Sequence, residues 1–174
     1  ALGENSDASV IDYNEIRYAY YNTNFQYGSS GSSIYPRGAL NLYNADVSIT
    51  NSDIGNTYEF AIDSRGTSAP TISNNSFTNT GSVPVALDLS SNPTFSRNTL
   101  ANAGLVAIGY HGGTFNNDGI IRARTFAGYD NITSVLLSDI TIASGTKLTI
   151  EPGTVIKSQT GPYGGLTLRV EGAS

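Results

Sequence analysis

The chain has 174 residues, which suits one domain with a substantial core. Its formal net charge is −5 and its few basic residues form no cluster, so we expect no nucleic-acid partner. It has no Cys, which excludes disulfides and thiolate metal sites, and no apolar run is long enough to insert into a membrane as a helix.

A short repeated phrase is the strongest signal in the sequence. It begins at residues 11–16 and returns at residues 49–54, 72–77 and 95–100, the last three starting 23 residues apart. A fixed period near 23 residues indicates one structural unit stacked on itself, which is a solenoid. The first copy precedes the second by 38 residues, and we assign the excess to a loop insertion at about residues 22–37.

The apolar residues of each phrase alternate as they do in strands. Val47 and Ile49 point one way, while Ser48 and Thr50 point the other. No segment has the sustained apolar stripe of a helix, so the pattern predicts an all-β fold of parallel coils. A second strand is predicted between successive phrases, and its inward residues are expected to stack in one column: Leu40, Ile62, Leu87 and Ile108.

One polar column runs through the repeats at the bend after the first strand. Its members are Asn14, Ser52, Asn75 and Asn98. Because Asn tolerates left-handed turn geometry and its amide can bond the amide one coil above, we interpret the column as a structural ladder inside the turn. A polar ligand site is the alternative interpretation.

The pattern changes in the C-terminal part of the chain. Residues 114–137 are less regular, and the segment after them contains three short strands punctuated by Gly145 and Pro152-Gly153. A further coil begins with the strand at residues 166–170. Three strands per coil predict a triangular cross-section, so we treat residues 1–174 as a single unit whose C-terminal coils span residues 138–174.

Residues 140–157 resemble a segment of large bacterial and archaeal cell-surface proteins with right-handed parallel β-helix repeats. In that family the segment precedes a strand ending in Val-x-Gly, matched here by residues 170–172, and coils similar to residues 9–18 come later. The resemblance covers nearly the whole chain. It implies a right-handed parallel β-helix with three short strands and about 23 residues per coil, in an extracellular or cell-surface protein. It implies little about activity, because pectin-degrading enzymes, adhesins and plain spacers share this fold.

The order of the segments departs from that family. The Glu-Pro-Gly segment follows the Asn-rich coils here, whereas it precedes them in the family. Joining the two ends restores the family order, so we interpret the chain as one permuted repeat of a continuous solenoid. We therefore expect copies to stack head to tail into a fibre, stalk or surface layer. The candidate junction residues are Ala8, Ile11, Leu168 and Val170.

A catalytic or metal site has weaker support in the sequence. The best candidate is an outward column of Asn41, Asp63 and Asp88 with Arg65 nearby, where the two aspartates would hold calcium or form an acid/base pair. A solvated outer face explains the same residues, and a turn is the default for His111, the single histidine. We expect a non-enzymatic protein without a cofactor, although the acidic balance of the chain still allows calcium or a cationic partner.

Tyrosines are concentrated near the predicted insertion. Seven of the eleven lie between residues 13 and 43, and the candidate contacts are Tyr18, Tyr20, Tyr21 and Tyr35. Aromatic faces stack on sugar rings and also form protein contacts, so these side chains suit a glycan platform or a lateral contact between copies. Simple covering of the loop explains them equally well. A carbohydrate-binding or polysaccharide-cleaving surface module is therefore the alternative function.

Overall fold

The alternating residues of the repeated phrase form short strands that stack on their copies one coil away. A computed structural model describes residues 2–3, 6–19, 37–161 and 164–172, in which strands and turns alternate without a helix. In those ranges no helix of the length and apolarity needed to cross a membrane occurs. The predicted insertion at residues 22–37 lies outside the described residues except for Arg37.

Three strands per coil make up the first four coils, as the sequence predicts. Corresponding strands of successive coils pair in parallel, which builds three faces. The strands are β1 (Val10–Asp12), β2 (Glu15–Arg17), β3 (Gly38–Tyr43), β4 (Ser48–Thr50), β5 (Asp53–Thr57), β6 (Phe60–Arg65), β7 (Thr71–Ser73), β8 (Ser76–Thr80), β9 (Val85–Leu87), β10 (Thr94–Ser96), β11 (Thr99–Ala101) and β12 (Ile108–Tyr110).

The last coils continue only one of those three faces. Their strands are β13 (Gly113–Phe115), β14 (Gly119–Ile121), β15 (Ser134–Leu136), β16 (Ile140–Ile142), β17 (Leu148–Ile150), β18 (Ile156–Ser158), β19 (Thr160–Gly161), β20 (Gly164–Gly165) and β21 (Leu168–Val170). The third face, made of β3, β6, β9 and β12, extends into a six-stranded sheet that ends at β18. The first face (β1, β4, β7 and β10) and the second face (β2, β5, β8 and β11) are replaced by a sheet of β13, β16 and β21 and a pair of β14 and β17.

The loop between β14 and β15, residues 122–133, causes this change of pattern. Its Phe126 is buried in the core, and its ring lies 5.4 Å from that of Phe77 and 5.0 Å from that of Phe95. The guanidinium of Arg124 lies over the Phe95 ring and donates to the Pro93 carbonyl at 2.8 Å. The loop therefore covers the last coil of the two interrupted faces. The segment that the sequence shows as irregular thus contains three strands and this covering loop.

The core consists of inward columns that run along the stack. In the first face Ile11 pairs with Ile49 and Ile49 with Ile72, and Phe95 follows in the same register. These aliphatic residues are buried wherever a coil lies on both sides of them. The all-β solenoid with about 23 residues per coil that the sequence predicts is therefore confirmed.

Left-handed residues form the bend between the first and second faces. The left-handed geometry that the sequence predicts for the column of Asn14 is wrong by one residue. The preceding residue of each coil is left-handed, which frees the next side chain to turn inward towards the backbone of the neighbouring coil. The left-handed residues, with φ from 48° to 58°, are Tyr13, Asn51, Asn74 and Arg97.

The inward polar column forms a ladder of hydrogen bonds inside that bend. The backbone N–H of Ser52 donates to Asn75 Oδ1 at 2.9 Å, and the N–H of Asn75 donates to Asn98 Oδ1 at 3.0 Å. Asn98 Nδ2 donates to the Ile72 carbonyl at 2.8 Å, and the N–H of Asn14 donates to the Ser52 hydroxyl at 3.1 Å. Because the three inner side chains are buried and saturated by backbone groups, the arrangement suits a structural ladder better than a ligand site.

Candidate functional site

The C-terminal end of the solenoid leaves its core columns uncovered. Ile150 and Val170 occupy the same inward columns as Ile121 and Ile142, which are fully buried one coil below. At the end of the stack, however, Ile150 is 45% exposed and Val170 is 65% exposed. The outermost described coil therefore presents apolar residues along the solenoid axis, where a further coil would bury them.

The N-terminal end has the same character. Ile11 and Ile16 are half-buried, although their column partners Ile49 and Ile54 are completely buried. The six-stranded sheet is extended at this end by Leu2, which forms a parallel bridge with Leu42 along the edge of β3 that faces away from β6. Both ends thus expose residues of the core together with strand edges.

The four candidate junction residues lie at these two ends. Ala8 is exposed in a turn just before β1, and Ile11 lies within β1, the outermost described strand of its sheet. Leu168 and Val170 lie in β21, the outermost strand of the sheet that also contains β13 and β16. The placement is compatible with a junction, which itself stays a prediction.

The outward aspartate column is wrong in two respects. Ile62 pairs with Val85, two residues before the predicted partner, so Asp63 lies beside Ala86 and does not share a column with Asp88. Asp63 is also completely buried, at 0% exposure, and is therefore not part of a solvated face. Its register partner Ala86 belongs to an apolar outer cluster with Phe60, Val83, Ala107 and Val135.

Asp63 is held in a buried polar cluster with the only histidine. Its Oδ1 accepts hydrogen bonds of 2.8 Å from both His111 Nε2 and Arg65 Nε, and Arg65 Nη2 lies 3.4 Å from Oδ2. Burial alone would raise the pKa of Asp63, but the hydrogen bonds and charges of His111 and Arg65 outweigh it and hold that pKa below its ordinary value. The ring of Phe60 packs edge-on against His111 with centroids 5.6 Å apart.

Arg65 separates the two aspartates that the sequence pairs as a metal or acid/base site. Its Nη1 lies 3.6 Å from Asp88 Oδ1, while Asp88 Oδ2 accepts the Gly66 N–H at 2.7 Å. Across the part of the chain that the structure describes, no three His, Asp or Glu side chains are grouped as a metal ion requires. A guanidinium between two carboxylates fits an ion-pair network better than a cation site.

A groove of about 500 Å³ lies on the outer side of the six-stranded sheet. Arg37 and Glu59 face each other across an ion pair of 3.2 Å, and the exposed ring of Tyr58 stands next to them. Burial, together with the charge of Asp63, raises the pKa of Glu59 against the lowering effect of Arg37. The other lining residues are Phe60, Gly81, Ser82, Gly104, Leu105, Leu137 and Gln159.

The groove rests on the apolar outer cluster, which the sequence pattern does not predict. Five residues on the outside of the solenoid are buried together, with Leu105 and Leu137 packed against them. This packing gives the groove a rigid apolar floor beside its charged rim. The buried members of the cluster are Phe60, Val83, Ala86, Ala107 and Val135.

The predicted tyrosine platform can be placed only in part. Tyr18 is exposed and has a left-handed φ of 58°, whereas Tyr20, Tyr21 and Tyr35 lie outside the described residues. Tyr58, which the sequence analysis did not name, is 56% exposed at the groove. Its proximity to charged and apolar lining residues makes it the better-supported aromatic contact among the described residues.

The 23-residue period is enough to predict that His111 lies near the residues of the buried polar cluster. Counting 23 residues from Arg65 leads to Asp88 and then to His111, and the backbone of these residues is arranged in that order in the sheet. His111 is therefore a strand-end residue of the third face, not an isolated turn residue. The same 23-residue period that sets the register of the first face therefore predicts the position of His111 in the third face.

Comparison with known proteins agrees with this architecture. A family model described as the right-handed beta helix region matches residues 2–131, which is well over half of the 174-residue chain. Searches of curated proteins and of solved structures returned no match. The coils, their parallel register and this family match together establish that the chain belongs to the right-handed beta helix family.

Proposed function

We propose that the protein is an extracellular structural repeat whose copies stack head to tail into a fibre, stalk or cell-surface layer. It acts without a cofactor and without chemistry of its own, and its main partner is another copy of the same solenoid. Nucleic acid is not a partner, because the chain carries an acidic balance and no basic cluster.

The observation that carries the proposal is the loss of burial at the ends of the core columns. Side chains that are completely buried inside the stack have neighbours 45% and 65% exposed in the last coil, at Ile150 and Val170. Covering such residues contributes about 25 cal/mol for each Å² of apolar surface removed from water. An added coil of the same shape also pairs the strand edges, which no unrelated globular surface does as well.

The partial coils at the two ends support the same arrangement. Leu2 occupies the position of the third face in a coil that precedes β1, and β21 follows β18 at the start of a coil beyond it. Each partial coil supplies a face that the other lacks. Joined across two copies, they contribute to a single shared coil.

A pair of matched substitutions tests the proposal. Val170→Asp places a charge in the uncovered column at the C-terminal end, whereas Val106→Asp makes the same change at an exposed site between β11 and β12. We expect the unmodified chain and V106D to form elongated assemblies as concentration rises, in sedimentation velocity and negative-stain microscopy. V170D should stay monomeric with an unchanged melting temperature. A monodisperse unmodified chain at high concentration would contradict the proposal.

A second candidate function is glycan binding, without cleavage, in the groove beside Tyr58. The exposed ring and the adjacent Arg37–Glu59 pair combine a stacking surface with hydrogen-bonding groups, which is the usual make-up of a sugar site. Cleavage has less support because Asp63, the nominated acid, has no exposed surface.

Binding measurements separate this candidate from simple stacking. Tyr58→Ala should abolish any glycan binding found on an array and by calorimetry. Tyr129→Ala, which removes a similarly exposed ring in the loop of residues 122–133, should leave binding unchanged. Absence of binding to all glycans tested would remove this candidate without affecting the stacking proposal.

A further inference from the structure

The six-stranded sheet is the one face that reaches both described ends of the solenoid. It begins with the bridge of Leu2 to β3 and ends at β18, whereas each of the other faces is interrupted by the covering loop. Its columns therefore define, without ambiguity of register, which residues at one end correspond to which residues at the other.

One inward column of this sheet directs its carbonyls towards the next coil in a constant pattern. The carbonyl of each column residue accepts a hydrogen bond from a backbone N–H in the next strand. The donor is the residue that comes directly after the column member of that strand. The bond from Tyr43 N–H to the Leu2 carbonyl is 2.9 Å, and the bond from His111 N–H to the Leu87 carbonyl is also 2.9 Å. The other members of the series are Asp88 to Ser64, Leu137 to Tyr110 and Gln159 to Leu136, at 3.0, 2.9 and 3.1 Å.

The next carbonyl in that series belongs to Ser158, in the terminal strand β18. Leu136 and Ser158 are partners in the register of β15 and β18, so Ser158 occupies the last position of the column that Leu2 begins. Continuation of the pattern requires an N–H one residue beyond a column member. On an incoming copy that residue is Gly3.

On the basis of the stacking proposed above, we propose that Leu2 and Gly3 of one copy add as a strand to β18 of the preceding copy. Leu2 then lies opposite Ser158, and the Gly3 N–H donates to the Ser158 carbonyl. Sheet edges recruit strands in this way because the main chain provides the hydrogen bonds while the side-chain columns fix the register. The six-stranded sheet becomes continuous along the assembly.

The charges at the two ends favour head-to-tail over head-to-head contact. Residues 6–19 contain the carboxylates of Asp7, Asp12 and Glu15 against the single guanidinium of Arg17. Residues 147–172 contain three cations, Lys147, Lys157 and Arg169, against the carboxylates of Glu151 and Glu171. Opposite ends therefore attract and like ends repel, and this effect weakens with added salt.

Cysteine cross-linking tests the register, because the natural chain has no Cys. Leu2→Cys chains are mixed with Ser158→Cys chains, and in a parallel experiment with Lys157→Cys chains, whose side chain points to the opposite side of the sheet. Neighbouring parallel strands place opposite Cα atoms about 4.8 Å apart, within the range of a disulfide. Within one chain the two positions are separated by six strand spacings, about 29 Å, so a disulfide must join two copies.

We expect the Leu2→Cys and Ser158→Cys mixture to give on the order of tenfold more cross-linked dimer than the Lys157→Cys mixture, on a non-reducing gel. Sedimentation of the unmodified chain is measured alongside. If that chain assembles but the two mixtures cross-link equally, or Leu2→Cys links mainly to itself, the register is wrong while stacking stands. If the chain does not assemble at all, the stacking proposal fails as well.

Discussion

At the scale of single residues, the Asp63 carboxylate is a buried charge that His111 and Arg65 hold in place. It is fully buried and accepts hydrogen bonds from His111 and Arg65. Among the described residues, removing its charge leaves the more distant Asp88 as the carboxylate beside the Arg65 guanidinium. Loss of one partner of a buried pair typically costs 3–5 kcal/mol, and an isosteric amide keeps the volume and one acceptor.

We therefore predict that Asp63→Asn lowers the free energy of unfolding by about 3 kcal/mol, measured by urea denaturation. Asp88→Asn is the matched control. Asp88 is partly exposed and 3.6 Å from Arg65, so the same substitution should cost less than about 1 kcal/mol. Equal effects of the two substitutions would contradict the importance assigned to the buried cluster.

Two carboxyl groups with opposite pKa shifts predict a specific pH dependence of stability. The pKa of Asp63 is lowered in the folded state, so its contribution is present above the ordinary carboxyl pKa, near 4, and is lost as pH falls through the folded value. The pKa of Glu59 is raised, mainly by burial, so its ionisation weakens the fold as pH rises above the ordinary value.

Unfolding curves measured between pH 3 and pH 7, on both sides of the ordinary carboxyl pKa, test these signs. The stability difference between the unmodified chain and Asp63→Asn should shrink towards the acid end of the range. Glu59→Gln should instead gain stability relative to the unmodified chain as pH rises from about 4 to 7. Parallel pH profiles for all three proteins would show that neither pKa differs between the folded and unfolded states.

At the scale of elements, the loop of residues 122–133 decides where two of the three faces stop. Phe126 fills the space above Phe77 and Phe95 that a further coil would occupy. Phe126→Ala should cost about 3–5 kcal/mol, as for other fully buried phenylalanines. Hydrogen exchange should also speed up in β10 and β11, the strands that the loop covers, before it does in the earlier coils.

Tyr129→Ala provides the control for that change. Tyr129 belongs to the same loop but is about half exposed, so its truncation should leave both the unfolding free energy and the exchange of β10 and β11 nearly unchanged. If Phe126→Ala alters exchange evenly along the solenoid, the loop stabilises the whole stack and not the two interrupted faces in particular.

The register of the third face shows how far the sequence alone can lead. Alternation predicts which residues of a strand point inward, but shifting the strand by two residues leaves that pattern unchanged. In the third face Val85 and Leu87 are both aliphatic, so either could follow Ile62, and the wrong choice paired Asp63 with Asp88. In the first face the polar residues Asn75 and Asn98 recur at one position of the repeated phrase, and this recurrence fixes the register.

The outer surface was harder to predict than the core for a similar reason. Inward positions are constrained by the aliphatic columns, whereas an outward residue such as Phe60 or Val135 is read as solvent-exposed unless its neighbours on other coils are known. The covering loop has no repeat partner from which its role could be inferred. Stacking periodicity therefore predicts the coils well, and it says little about what lies against their outer faces.

At the scale of the whole molecule, a head-to-tail contact uses two different surfaces and does not close on itself. Such a contact gives an open assembly, whereas a contact between identical surfaces stops at a dimer. Val170→Asp alters only the C-terminal end, so the variant can still join a growing assembly through its intact N-terminal end. Once joined, it offers no competent surface to the next copy.

The variant should therefore terminate growth when it is the minor component. With one V170D chain for every ten unmodified chains, the mean assembly should shorten to about ten copies, and a larger share of variant should shorten it in proportion. Lengths measured by negative-stain microscopy test this relation, with V106D as the control that should not shorten the assemblies. If V170D is simply left out and the lengths do not change, both ends of each copy must take part in every contact, and the assembly is not a head-to-tail stack.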